Sequence, residues 1–334
     1  MKEPGGATIR GHEAVRELFR EMIAHGRVAH AYLLVGKPGI GKRLLARELA
    51  QALNCEAAGY PPDGACLSCR KIRDRMHPDV MEVTAEGKTL KVDQVRELTA
   101  ALRFRPFEGR TKVAILAEAE RMNAAAMNAL LKTLEEPPPD TVLILTALSL
   151  ESLLPTVISR CQVVRVQPLA TAVVEEMLME RIQVERSEAR LLAVLSEGSV
   201  GKALSLDREF FIEGRRRIIS RFLALSADSP AAILDWAEEL AKLREDPEEV
   251  VDVLATLYRD LLLEKAGLPA AVHADLVPAV QAAAGQARPD TIVLGLERLE
   301  RARRRLRQNA NPRLVLAALT LALKGVPGAR LETP

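Results

Sequence analysis

Two kinds of hydrophobic pattern alternate through the first half of the chain. Short runs with almost no polar interruption, at Ala31–Val35, Val80–Val83, Lys112–Ala117, Thr141–Thr146 and Gln162–Val166, predict buried strands. Between them, apolar residues recur every three or four positions in Glu13–Ala24, Arg43–Leu53, Val92–Leu102 and Ala124–Glu136, which predicts amphipathic helices. Strands alternating with helices predict an α/β fold, a parallel sheet with flanking helices and ligand sites at the carboxyl ends of the strands. Beyond Pro168 only the helical period remains, in Val173–Ile182, Ala189–Leu195, Phe210–Leu225, Ala231–Leu243, Val250–Leu263 and Thr291–Arg307. The pattern divides the chain into an α/β domain over 1–167, a small helical lid over 168–206 and an all-α C-terminal domain over 207–334.

The first strand runs into Gly36-Lys37-Pro38-Gly39-Ile40-Gly41-Lys42-Arg43. This is the phosphate-binding pattern Gly-x₄-Gly-Lys-[Ser/Thr] with its last position altered, set between a strand and a helix as the motif requires. Gly36, Gly39 and Gly41, with Pro38 between them, let backbone N–H groups approach phosphate oxygens, and Lys42 adds a full positive charge. The final hydroxyl normally holds Mg²⁺, whereas Arg43 offers only donors and cannot ligate a cation. ATP binding is compatible with what remains of the loop, and hydrolysis is not expected.

Composition narrows the setting. Of 334 residues, 48% are apolar and 28% charged, as in an ordinary globular protein, and 47 Lys plus Arg against 45 Asp plus Glu leave a net charge of +2. That balance supplies no overall field for DNA or membrane. The segment Met1-Lys2-Glu3-Pro4-Gly5-Gly6 lacks a secretion signal's apolar stretch, and no run reaches the ~18 apolar residues of a membrane span. Arg215-Arg216-Arg217 and the run Arg301 to Arg307 lie in helical patterns and read as solvated or subunit-facing surfaces. With aromatics at 3%, no base-stacking platform is expected.

Three of the four cysteines fall within residues 55–69. Cys66-Leu67-Ser68-Cys69 has the spacing of a zinc-chelating pair, Cys55 precedes it, and His77 is a candidate further ligand. Clustered thiols of this kind fit a reduced, cytoplasmic compartment with an insertion at 55–76 built around zinc. Cys161 stands apart and reads as a small buried residue.

Longer strings are more specific. Asn123-Ala124-Ala125-Ala126-Met127-Asn128-Ala129-Leu130-Leu131-Lys132-Thr133-Leu134-Glu135-Glu136-Pro137-Pro138, followed by Ser159-Arg160-Cys161, resembles the bacterial clamp-loader family of DNA polymerase III, a branch of the AAA+ proteins. His30-Ala31-Tyr32-Leu33, His77-Pro78-Asp79, Gly198-Ser199-Val200-Gly201-Lys202-Ala203-Leu204 and Asn309-Ala310-Asn311-Pro312-Arg313-Leu314 extend the likeness, strongly over residues 10–206 and weakly beyond. The resemblance implies a ring-forming collar in the C-terminal domain, and gamma/tau and delta subunits as partners. It implies a role in loading the sliding clamp on primer-template DNA during replication. It implies that Arg160 is an arginine finger for a neighbouring subunit's ATP site, and that Glu118, Thr146 and Lys202 lie at this chain's own nucleotide site. In the family's ATPases the third strand ends in Asp-Glu. Here Ala117 replaces the Asp ahead of Glu118, so both Mg²⁺ contacts are lost and a scaffold is implied, the alternative being an active gamma/tau-like ATPase. In the family's zinc site the position here occupied by Asp63 is a cysteine, which implies the ligand set Cys55, Asp63, Cys66 and Cys69.

Overall fold

The computed structural model describes residues 9–85, 87, 89–225, 229–243, 247–268, 272–273 and 275–324. Of these described residues, those up to 177 together with 197–204 form one compact unit, and 178–196 together with those from 205 onward a second.

The first unit holds a five-stranded parallel sheet: β1 (Ala31–Val35), β2 (Val80–Val83), β3 (Lys112–Leu116), β4 (Thr141–Ala147) and β5 (Gln162–Arg165), in the order β2-β3-β4-β1-β5. β1, β3 and β4 are buried along their whole length. Both faces of such a sheet must be covered, which is why its strands read as unbroken apolar runs. Side chains alternate between the faces. Tyr32, Leu34, Val113, Ile115, Val142 and Ile144 pack against α1 (Glu13–Ala24) and α2 (Lys42–Asn54), through Phe19, Leu45 and Leu49 among others. Leu33, Ala114, Leu116, Leu143 and Leu145 meet α4 (Val92–Leu102), α5 (Ala124–Glu135) and α6 (Pro155–Ile158). A short helix absent from the sequence expectation, α3 (Leu67–Arg73), lies in the cysteine insertion and packs on α2.

After β5 the chain is helical throughout its described residues: α7 (Thr171–Ile182), α8 (Arg186–Leu195), α9 (Val200–Ser205), a π-helical turn (Phe210–Gly214) running into α10 (Arg215–Ala224), α11 (Pro230–Leu243), α12 (Glu248–Lys265), α13 (Val277–Gln286), α14 (Pro289–Arg307) and α15 (Pro312–Leu323). Of these, α13 and α15 were not expected. In the second unit α12 packs on α13 and α14, and α11 and α14 pack on α15. The side chain of Asn311 caps α15 by accepting from the N–H groups of Arg313 and Leu314 at 3.0 and 3.4 Å, which gives the Asn-Pro-Arg-Leu string a local physical purpose.

Of the basic strings, Arg215 is buried, Arg303 and Arg305 are half-buried, and Arg216, Arg217, Arg301, Arg304 and Arg307 are exposed. Arg215 is 1% exposed, donating to Phe211 O at 3.0 Å and Asp275 Oδ2 at 2.7 Å, with His273 Nδ1 at 2.6 Å. Arg303 pairs with Asp252 and Glu300, and Arg307 with Glu248. No helix among the described residues is long and apolar enough to cross a membrane.

Candidate functional site

The phosphate-binding loop sits where the pattern places it, between the carboxyl end of β1 and the start of α2. Gly39 and Gly41 take φ of 70° and 104°, a region that favours glycine. The loop's carbonyls are held by side chains and by a second backbone segment. Lys42 Nζ donates to Gly36 O at 2.6 Å and Lys37 O at 2.8 Å. Ser199 Oγ donates to Pro38 O at 2.9 Å, Gly201 N to Gly39 O at 2.9 Å, and His12 Nε2 lies 2.7 Å from Ile40 O. Gly39 and Gly201 approach so closely that a Cβ on Gly39 would lie 3.2 Å from Gly201 Cα, 3.0 Å from Lys202 N and 2.5 Å from Ser199 Oγ. The string Gly198 to Leu204 is therefore part of the loop's scaffold, and it brings the backbone of Lys202 against the loop.

Lys42 is 9% exposed. Burial pulls its pKa down, and the charges of Glu120 and then Glu118 oppose that. Glu120 went unnoticed in the sequence because motif reading stops at the strand end. Its Oε2 is buried with no hydrogen-bond partner among the described residues. Glu118, at φ 57°, turns its carboxylate to Arg121 at 2.9 Å, while its N–H donates to Thr146 Oγ1 at 3.0 Å. The structure thus gathers Gly36, Gly39, Gly41, Lys42 and Lys202 around one loop, links Glu118 to Thr146, and leaves Glu120 as the unpaired carboxylate acting on Lys42.

Arg43 points away from the loop and pairs with Glu82 of β2, Nε to Oε1 at 2.8 Å. Arg47 binds the same carboxylate through Nε at 2.8 Å and Nη2 at 3.0 Å, and Arg75 stands 3.9 Å from it. Burial opposes ionisation of Glu82, but the Arg47 hydrogen bonds and the charges of Arg47, Arg43 and Arg75 outweigh it and hold the carboxyl below its ordinary range. Ala117 is fully buried at the end of β3. Neither altered position offers a cation an oxygen ligand.

Arg160 occupies the other end of the sheet. It precedes β5, whereas the loop follows β1, and the two strands are parallel neighbours paired Tyr32 to Gln162 through Val35 to Arg165. The intervening length, at about 3.3 Å per residue, keeps Arg160 from this chain's own phosphate loop. Arg160 is held by Glu135 Oε1 at 2.7 Å and by Thr156 O at 2.9 Å. It lines an open hollow of about 670 Å³ with His30, Leu134, Glu135, Ser159 and Cys161. Burial pushes the Cys161 thiol up to about 12, so it stays protonated.

The cysteine insertion forms a third site. Single ligand atoms of Cys55, Asp63, Cys66 and Cys69 all lie within 4.8 Å of one another. Asp63 Oδ1 accepts from Ala65 N at 3.0 Å and Cys66 N at 3.1 Å, and these bonds hold its carboxyl far below the ordinary range. The N–H groups of Asp63 and Cys69 lie 3.4 Å from Cys55 Sγ and Cys66 Sγ. Three sulfurs and one ionised oxygen, with N–H groups aimed at sulfur, suit a divalent cation in four-coordination. His77 is not in the group: its Nδ1 accepts from Asp79 N at 3.1 Å, and its Nε2 faces Glu108 at 3.6 Å.

A parallel sheet in the order 2-3-4-1-5, with a glycine-rich loop after its first strand and followed by helices, defines an AAA+ type α/β module. The family model described as DNA polymerase III, delta subunit, matches residues 11–170, and the one described as its C-terminal part matches 211–324. DNA polymerase III subunit delta' of Bacillus subtilis (strain 168) is 32% identical over 315 residues, covering 93% of this chain and 95% of that protein. The chain belongs to the delta-prime subunit family of DNA polymerase III. The Pseudomonas aeruginosa delta' subunit is 38% identical over 63% of this chain and 67% of its own length. The Escherichia coli (strain K12) tau subunit is 35% identical over 62% of this chain but only 33% of its own. Among solved structures, a gamma subunit-related protein of Thermotoga maritima aligns over 93% of this chain and 98% of its own, with 20% identity and a TM-score of 0.45.

Proposed function

We propose that this protein is a non-hydrolysing scaffold subunit of a clamp loader, and that Arg160 serves the ATP site of an adjacent subunit. The observation that carries this reading is the position of Arg160: half-buried along the hollow, at the opposite end of the sheet from this chain's own phosphate loop. From there it has no phosphate to act on unless a second subunit brings one. A guanidinium supplied in trans stabilises charge on the transferred phosphoryl group only when the subunits are correctly packed, which couples hydrolysis to assembly. Glu135 holds the side chain on the hollow meanwhile. The proposed partners are gamma/tau and delta subunits, with the sliding clamp and primer-template DNA engaged through the complex, in the cytoplasm.

This chain's own site supports nucleotide binding at most. Gly36 to Lys42 keep the cradle, with Lys42 resting on the loop's carbonyls until a phosphate displaces them. Arg43, pinned by Glu82, and Ala117 supply no cation ligand. We assign zinc to Cys55, Asp63, Cys66 and Cys69, where it would fasten the insertion to the end of α2. The division into a 1–167 module, a 168–206 lid and a 207–334 collar belongs to the same proposal. The test is reconstitution with gamma/tau and delta subunits. Clamp- and DNA-stimulated ATP hydrolysis should collapse with Arg160→Ala in the assembled complex. Turnover by the purified chain alone, abolished by Lys42→Ala, would instead make it an active ATPase.

A further inference from the structure

Aromatic residues are few in this chain, and the structure divides them unevenly between core and surface. Four of the six phenylalanines, Phe19, Phe210, Phe211 and Phe222, are buried, while Phe104 and Phe107 are 72% and 86% exposed. Both stand on the loop joining α4 to β3, in Arg103-Phe104-Arg105-Pro106-Phe107-Glu108-Gly109-Arg110. A single exposed apolar side chain means little. Two rings three residues apart, interleaved with arginines, are a different surface.

The loop is firmly held from beneath. The carboxylate of Asp79, itself fully buried, accepts from the N–H groups of Phe107, Glu108 and Gly109 at 2.7, 2.8 and 2.8 Å. Asn54 Oδ1 accepts from Arg110 N and Thr111 N at 2.9 and 3.0 Å. The ammonium of Lys112, 7% exposed, donates to the carbonyls of Ala101 and Phe104 at 3.2 Å and of Arg105 at 3.4 Å. Three buried polar side chains thus serve the backbone of one exposed loop and hold its two rings out in water. Its one acidic residue, Glu108, is neutralised by Lys71 at 2.7 Å. Neither Arg103 nor Arg105 has a carboxylate partner among the described residues, and Arg110 bonds only the backbone of Glu56 at 3.3 Å.

We infer that this loop is a binding site for single-stranded nucleic acid, with Phe104 and Phe107 stacking on unpaired bases and Arg103, Arg105 and Arg110 pairing with phosphates. Charge complementarity decides the occupant. Fixed aromatic faces among unpaired guanidinium groups match a strand that presents bases and phosphates in turn. The site is independent of the Arg160 assignment and lies outside the nucleotide and cysteine sites.

The test uses the full-length chain and a fluorescein-labelled oligothymidylate of about 20 nucleotides, longer than a typical stacking site, followed by anisotropy. The wild-type chain should bind, with log affinity falling against log salt at a slope of about −2, from roughly 0.7 for each of three phosphate contacts. Phe104→Ala with Phe107→Ala should weaken binding about ten-fold or more, the range set by stacked-base substitutions, without lowering the melting temperature. Arg103→Ser with Arg105→Ser should flatten the salt slope, and Arg160→Ala should bind as the wild type does. Absence of binding by the wild-type chain overturns the inference. So does a phenylalanine double variant that binds undiminished, or one that loses only its association with partner subunits.

Discussion

Glu82→Gln isolates the interaction that takes Arg43 out of the phosphate site. The Glu82 side chain is 9% exposed and Arg47 8%, so removing the charge takes from a buried guanidinium the carboxylate that binds it at two points. Breaking such a pair from one side costs about 3–5 kcal/mol. Arg43 and Arg75, at 34% and 49% exposed, rehydrate and add little. Glutamine still accepts one hydrogen bond, which places the loss near the low end, about 3 kcal/mol. For a unit of this size that corresponds to a fall of roughly 6–12 °C in the sheet unit's melting temperature. Chemical denaturation followed by far-UV circular dichroism measures it. The sign with pH follows from the depressed carboxyl. Its stabilisation is fully present above the unfolded value, about 4.3, and is lost as pH falls through the lower folded value. The gap between wild type and variant should hold from about pH 6 to 8 and close below about pH 4. A variant within about 0.5 kcal/mol of wild type at pH 7, the usual scatter of surface substitutions, would refute the argument, as would a gap that widens in acid.

Three further outcomes follow from the same geometry. Metal analysis should find about one zinc per chain, as a tetrahedral four-ligand site requires, with Cys66→Ser losing it and Asp63→Cys binding it more tightly; a metal-free chain of unchanged stability would remove the assignment. Arg43→Thr should leave the lone chain without measurable ATP hydrolysis, because Ala117 still withholds the second cation contact, and turnover in that variant would count against the two-contact reasoning. Glu135→Gln should change stability by less than about 1 kcal/mol, as expected of an exposed ion pair, while altering the ATP-hydrolysis rate of the complex; no change in that rate would show that the Arg160–Glu135 pair is ornamental.

Much of this architecture was readable from the sequence, for stated physical reasons. The strands of a two-sided sheet show as unbroken apolar runs, and all five lie where those runs fall, to within a residue or so at the ends. The helices that escaped notice lack contrast. α13 is Val-Pro-Ala-Val-Gln-Ala-Ala-Ala-Gly-Gln and α15 is apolar almost all round, so neither presents a polar face to mark its period. α3, at seven residues, is too short to show one. At the sites, the grouping of Asp63 with the cysteines was legible through the family resemblance, which sets it where a cysteine ligand stands, and residue spacing alone left His77 open as well. Glu120 was not, because nothing in a sequence shows which carboxylate a local turn leaves unpaired. Nor were Phe104 and Phe107, whose exposure depends on Asp79, Asn54 and Lys112 fastening the loop from distant strands and helices. Composition averages conceal such a pair; only the fold separates two displayed rings from four buried ones.

The central claim is that this chain contributes an arginine to a neighbour's ATP site and does no hydrolysis of its own. Clamp- and DNA-stimulated turnover of the complex reconstituted with gamma/tau and delta subunits, comparing the wild-type chain with its Arg160→Ala variant, tests it most directly. The account predicts intact assembly and a fall of about 10³–10⁵ at the site the arginine serves, the usual contribution of such a group. Full turnover by that site with Arg160→Ala, in a complex of normal composition, would contradict it.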